Sequence, residues 1–233
     1  MIAVDAGNTL IKVVVFHDSG SVDAIKTWPA AAYEDCLNWL KEQSDSIWIA
    51  DSSARDWPLG QQVTAASSWG FDLEYSAQIG LDRLASMRGA IHRHPRSAIL
   101  MVSLGTCLTY SYLNQNGVFQ GGAIAPGWAV RLKAMHHYTQ SLPALPTDDL
   151  TSPAEWNSSD PRTSSSAQSM MRGAFQGMID EIDTEVERFC AINKDLIVII
   201  HGGDAPFFVN HLKKGIFANE NWTALGLWAM SQN

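Results

Sequence analysis

The sequence predicts an α/β protein that mixes hairpins with helical crossovers, and three observations carry that reading. Short apolar or β-branched runs alternate with segments of helical periodicity along the 233 residues. Small-residue turns punctuate the ends of those runs. One strand–turn–strand unit occurs twice: Val4-Asp5-Ala6-Gly7-Asn8 matches Val102-Ser103-Leu104-Gly105-Thr106, each turn flanked by apolar strands. The repetition predicts two similar lobes, 1–96 and 97–233.

Each element follows from local chemistry. Ile2 to Val4 is a short apolar run, Asp5 to Thr9 is turn chemistry, and Leu10 to Phe16 is rich in β-branched residues, so the chain opens with a hairpin. Tyr33 to Gln43 has helical spacing, Ser46 to Ala50 reads as a buried strand, and Asp51-Ser52-Ser53 follows as a polar loop. Asp82 to His92 spaces Leu84, Met87 and Ile91 as a helix does. The second cycle predicts strands over Ala98–Val102, Cys107–Leu113 and Val118–Gln120, then a helix over Trp128–Thr139. Leu142 to Ser166 is rich in Pro, Ser and Thr and reads as a long surface loop. Met171, Phe175, Met178, Ile182, Val186 and Phe189 form a core stripe on a helix over Ser169–Ile192. A strand at Leu196–Ile200 and a helix at Asp204–Lys214 complete the pattern.

Composition narrows the function classes. With 46% apolar residues the chain can bury a sizeable core, and no run of eighteen apolar residues would span a membrane. The start has no basic segment before an apolar one, so no signal peptide is expected. The 24 acidic against 16 basic residues, a net charge of −8, argue against a nucleic-acid partner. Three scattered cysteines form neither a disulfide framework nor a metal knuckle, and a reduced, cytoplasmic protein is the expectation. The histidines lack partners at ligand spacing and read as surface or interface residues. Cys107 reads as a buried packing residue; of the nine tryptophans, Trp128 and Trp156 fall near the expected substrate loop and Trp222 near the C-terminus, and most read as core with some at an interface.

The glycine turns are the chemical signal. Neither a P-loop nor a dinucleotide-binding Gly-x-Gly-x-x-Gly turn occurs. What stands instead is Asp5-Ala6-Gly7-Asn8-Thr9, Gly105-Thr106, Gly121-Gly122 and Gly202-Gly203, all at strand ends. Successive backbone amides in such turns bind anions. Asn8 and Thr9 add donors, Lys12 adds positive charge, and Asp5 suits a magnesium water shell. Each turn taken alone reads as a hairpin closure; the ordered combination carries the inference.

That combination resembles the type III pantothenate kinases. The segments Asp5-Ala6-Gly7-Asn8-Thr9, Ile79-Gly80-Leu81-Asp82-Arg83, Gly105-Thr106 and Gly121-Gly122-Ala123-Ile124-Ala125-Pro126-Gly127 occur in that family's order. The likeness continues through Arg131 to His136 and His201-Gly202-Gly203-Asp204. It implies two ribonuclease-H-like lobes of the actin-like ATPase group, with mixed β-sheets flanked by helices and a nucleotide cleft between them. It implies a cytoplasmic homodimer that phosphorylates pantothenate with ATP, using Mg²⁺ and a monovalent cation, K⁺ or NH₄⁺. By position, Asp5, Ala6, Gly7, Asn8, Thr9, Leu10, Ile11 and Lys12 would hold the ATP phosphates, with Asp5 carrying magnesium through water. Thr106 would contact ATP from the second lobe. Gly80, Leu81, Asp82 and Arg83 would bind pantothenate, with Asp82 as catalytic base and Arg83 able to orient it or to bind the substrate carboxylate. A simple N-cap is the competing reading of Asp82. Ser166 stands at a substrate-contacting threonine position, and Tyr75 takes the place of a substrate-lining tyrosine at shorter spacing.

Two positions depart from the family pattern. Ser103 stands where an aspartate normally ligates the monovalent cation, and Ser111 where relatives often carry aspartate. Cation-independent catalysis, compensation by another residue, and a weakened paralogue acting as a regulatory or ligand-binding accessory protein are all open. Another actin-like sugar or acetate kinase accounts for the phosphate turns but not for Gly-Leu-Asp-Arg.

Overall fold

In the computed structural model, residues 1–53, 55–76, 78–147, 161–217 and 221–232 are described. They divide into two units: Met1–Ser97 with Leu113–Gly121 and Glu220–Asn233, and Ala98–Tyr112 with Gly122–Asn219.

The first unit begins as an antiparallel meander of β1 (Ile2–Ala6), β2 (Leu10–Phe16) and β3 (Val22–Pro29). Helix α1 (Tyr33–Lys41) then returns the chain to β4 (Ile47–Asp51), which lies parallel to β1 with Asp5 opposite Ala50 and Ala6 opposite Asp51. The short β5 (Gln61–Gln62) extends the sheet to the order β3-β2-β1-β4-β5. Ile2, Val4, Ala6, Ile11, Val13 and Ile49 bury one core against Cys36, Leu37 and Leu40 of α1. A crossover between parallel strands needs such a helix, and its apolar stripe is what the sheet face covers. Strand β6 (Asp72–Leu73) and helix α2 (Leu81–Arg93) follow.

The second unit is built on β7 (Ile99–Leu104) and β8 (Cys107–Leu113), whose hairpin repeats the opening one. The chain continues into β9 (Val118–Gly121), which groups with the first unit, where Val118 and Phe119 pair with Asp72 and Leu73. Strand β10 (Ile124–Pro126) pairs antiparallel with β8. Helices α3 (Trp128–His137) and α4 (Ser166–Ile192) lead to β11 (Ile197–His201), parallel to β7 with His201 opposite Ser103. The expected stripe of α4 is buried from Met171 to Val186 against Leu100, Val102, Leu108, Tyr110 and Trp128, and Phe189 is partly buried. Its largest member, Phe175, is fully buried, which stabilises the unit by roughly 1.5–3 kcal/mol. A one-turn helix, α5 (Ala205–Phe208), and β12 (Ile216–Phe217) follow.

The C-terminal helix, α6 (Trp222–Ser231), returns to the first unit and packs on α2. A Cβ at Gly226 would lie 1.8 Å from the Ala85 carbonyl oxygen, so the two backbones meet without a side chain between them. The sequence places no helix here and assigns everything from 97 onward to the second lobe. The observed first unit instead recovers 113–121 and 220–233, because α6 buries an almost wholly apolar surface on α2. The helix expected over Asp204–Lys214 shortens to α5 and a 3₁₀ turn at Val209–His211, after which Leu212 is extended. Helix α4 starts three residues earlier than expected, because Ser165 caps it by accepting from the Gln168 N–H at 3.2 Å. Of the expected loop, 148–160, with Trp156, lie outside the described residues. Cys107 is exposed, not buried as expected: it is the first residue of β8 and its side chain falls on the opposite face from the buried Leu108 and Tyr110.

Candidate active site

Asp5 lies half-buried near the end of β1, just before the buried Ala6, and faces Lys12 across the hairpin, because the antiparallel register pairs positions 5 and 12. Between them Gly7 N–H donates to the Leu10 carbonyl at 3.0 Å, closing a turn whose Asn8 and Thr9 are exposed. Burial and then the charge of Asp82 push the Asp5 carboxyl up to about 6, against the opposing charge of Lys12 and a hydrogen bond from the Thr223 hydroxyl. Two carboxylates and one ammonium thus leave this strand end short of positive charge. A hard, hydrated cation such as Mg²⁺ suits that donor set.

Asp82 is the second residue of α2, and it is exposed. It is not the cap: the N-cap is Gly80, with no side-chain cap bond. Asp82 Oδ1 instead accepts from Ser52 Oγ at 3.1 Å, and a Cβ at Gly80 would lie 2.5 Å from that same oxygen. The glycine therefore makes room for the carboxylate. Arg83, 6% exposed, turns inward, its guanidinium carbon 5.5 Å from the Tyr75 ring centre and 5.8 Å from that of Phe119. The half-exposed Tyr75 stands edge-on to Phe119 and lies against Gly121, where a Cβ would meet the ring at 2.5 Å. Despite its irregular spacing in the sequence, Tyr75 is brought to Arg83.

The second turn is held differently. Gly105 N–H donates to the Cys107 carbonyl at 3.1 Å, and Gly127 N–H to the Thr106 carbonyl at 3.1 Å. A Cβ at Gly127 would sit 1.9 Å from the Gly105 carbonyl oxygen. Gly202, at φ +106°, would bring a Cβ to 2.2 Å from the Leu104 carbonyl oxygen, and the Asp204 N–H donates to that oxygen at 3.1 Å. Only glycine combines that positive φ with so close an approach. Burial raises the Asp204 carboxyl above its ordinary value. Ser103 is half-buried at the end of β7, and Ser111 is buried on β8. Ser166 is exposed in the first turn of α4. Thr106, Ser103 and Ser166 thus belong to the second unit, whereas Asp5 to Lys12, Tyr75 and Gly80 to Arg83 belong to the first.

Sequence reasoning missed a group in the first unit. Asp51, its side chain 6% exposed, accepts from Ser53 N–H at 2.7 Å, Ser53 Oγ at 2.6 Å, Arg55 N–H at 2.8 Å and Trp57 Nε1 at 2.8 Å. Burial raises this carboxyl, but the Ser53, Trp57 and Arg55 hydrogen bonds outweigh it and hold it below its ordinary range. Thr223 escaped notice because nothing in its flanks marks a turn or site. An acid directly before Ser-Ser, with Arg and Trp four and six residues on, was the available signal for the Asp51 group.

The topology is that of actin-like ATPases and the sugar kinases that share it. Those structures are 14–15% identical to this chain and bear on the fold alone. The sequence profile of type III pantothenate kinases matches residues 55–188, more than half of the chain, and the chain belongs to that family. The type III pantothenate kinase of Flavobacterium psychrophilum is 35% identical over 162 residues, 69% of this chain and 64% of its own. That of Flavobacterium johnsoniae is 29% identical over 235 residues, 95% of this chain and 93% of its own. A conserved candidate Baf family transcriptional activator from Campylobacter jejuni, known as a crystal structure, matches with a TM-score of 0.64. It is 17% identical, with 100% of this chain and 96% of that one covered, and bears on the fold alone.

Proposed function

We propose that the protein transfers the γ-phosphoryl group of ATP to the primary hydroxyl of pantothenate, giving 4′-phosphopantothenate and ADP, the first step towards coenzyme A. The observation that carries this reading is Asp82, exposed at the start of α2, held by Ser52 and freed of a capping role, within the Gly-Leu-Asp-Arg motif of the family. Asp82 accepts the hydroxyl proton as that oxygen forms its bond to the γ-phosphorus and the bridging bond to ADP breaks. Such a base contributes about 10²–10⁴-fold, with positioning and charge supplying the rest. Lys12 and the amides around Asn8 and Thr9 hold phosphate oxygens. Arg83, braced by Tyr75 and Phe119, shapes the substrate side of Asp82. Asp5 would hold magnesium through water, and the ion would supply neutralisation of phosphate charge. Serine at 103 offers a cation a neutral oxygen in place of a carboxylate, so monovalent-cation dependence is weakened. A cytoplasmic homodimer is part of the same reading; among the described residues no helix is long and apolar enough to cross a membrane.

Purified protein with ATP, Mg²⁺ and pantothenate tests it. ADP release that requires pantothenate, with a product one phosphoryl group heavier by mass spectrometry, is expected. Absence of that product with and without potassium and ammonium would end the kinase reading.

A further inference from the structure

The loop after β4 touches the first phosphate turn at two consecutive carbonyls. Ser52 N–H donates to the Ala6 carbonyl at 3.0 Å, and Arg55 Nη2 to the Gly7 carbonyl at 3.1 Å. Arg55 is itself fixed: Nη1 lies 3.4 Å from Asp51 Oδ1 and also donates to Ser53 Oγ, and its side chain is 17% exposed. Trp57, 3% exposed, is anchored to Asp51 and packs edge-on to Tyr33 at 5.0 Å, while Tyr33 donates its hydroxyl proton to the Asp56 carbonyl.

We infer that Arg55 is a positioning residue for the nucleotide turn, acting through the Gly7–Asn8 peptide; this rests on the kinase reading above. In a planar trans peptide the carbonyl and the next N–H point in opposite directions. Arg55 holds the Gly7 carbonyl on the Asp51 side and thereby aims the Asn8 N–H away from it, where an anion can use it. Gly7 N–H is already committed to Leu10, so both ends of Gly7 are fixed within the protein. The guanidinium fork does what an ammonium cannot, since it binds Asp51 and Gly7 with separate nitrogens. Ser52 also holds Asp82, so Ser52 and Arg55 tie the nucleotide turn to the base.

The test is Arg55→Lys and Arg55→Ala, read by steady-state kinetics and by calorimetric titration with a non-hydrolysable ATP analogue and Mg²⁺. Both variants are expected to raise the KM for ATP and the Kd for the analogue about tenfold or more, with the KM for pantothenate changed less than threefold. Lysine should do little better than alanine, and millimolar guanidinium should restore the alanine variant but not the lysine one. Wild-type KM and Kd in either variant, or full recovery by lysine, overturns the inference, the latter pointing to a charge contact with phosphate. If alanine at 55 prevents folding, the lysine variant alone decides by the same readouts. Failure of the kinase reading is separate: wild-type protein would then show no pantothenate-dependent turnover, while the titration still reports whether Arg55 governs nucleotide binding.

Discussion

The two phosphate turns share a strand–turn–strand frame and differ in what surrounds it. The first, Gly7 to Thr9, stands among ionisable groups: Asp5, Lys12 and Asp82, with Ser52, Arg55 and Thr223 holding them or the turn backbone. The second, Gly105 to Thr106, is clasped by glycines, with Gly127 and Gly202 pressed on its carbonyls and serine where the first turn has Asp5. Charge in the first and close backbone packing in the second imply a division of labour. On the proposed function the first turn would handle magnesium, phosphate charge and the proton, whereas the second is held by close backbone packing. Burial and the charge of Asp82 give Asp5 at the first turn a folding cost, whereas at the second turn burial alone raises the Asp204 carboxyl.

Substitutions can break this contrast in order of size. Asp82→Asn is expected to lower kcat by about 10²–10⁴-fold while the Kd for an ATP analogue stays within a few-fold. Equal loss of both would make Asp82 structural. In the second unit, Gly127→Ala forces a methyl into the Gly105 and Thr106 carbonyls and should cost at least about 2 kcal/mol in denaturant unfolding. Unchanged stability would show that this turn is not clasped as described.

Asp5→Asn gives a stability effect of opposite sign. The native pKa of about 6 exceeds the ordinary 3.8, so the native state holds its proton longer than the unfolded one does. Stability therefore falls as pH rises from about 4 to about 6 and stays lowered above that. The asparagine variant should be about 1–3 kcal/mol more stable at pH 7.5, with a flatter profile between pH 4 and 6, and inactive. Urea midpoints at pH 4.5 and 7.5 check it; destabilisation at pH 7.5 would contradict the described strain. Smallest of all, Ser103→Asp should introduce a few-fold activation by potassium, read in kcat.

Much of this was legible in the residues and some was not. The opening hairpin, β8 and the α4 stripe could be read because β-branched runs and helical spacing are local signals. The role of α6 was not legible: its residues are apolar on nearly every face, and only the tertiary partner α2 explains them. The same holds within the site. Asp5, Lys12 and Asp82 announce themselves by motif, whereas Thr223 and Arg55 reach the turn from distant segments, across contacts that no local pattern encodes.

The division between an acidic turn and a neutral one is tested most directly by potassium titration of wild-type and Ser103→Asp proteins, side by side, with ATP, Mg²⁺ and pantothenate. The account predicts wild-type turnover with a nearly flat potassium response and a rising one in the variant. Strict potassium dependence of the wild type, matched by the same curve in the variant, would contradict it.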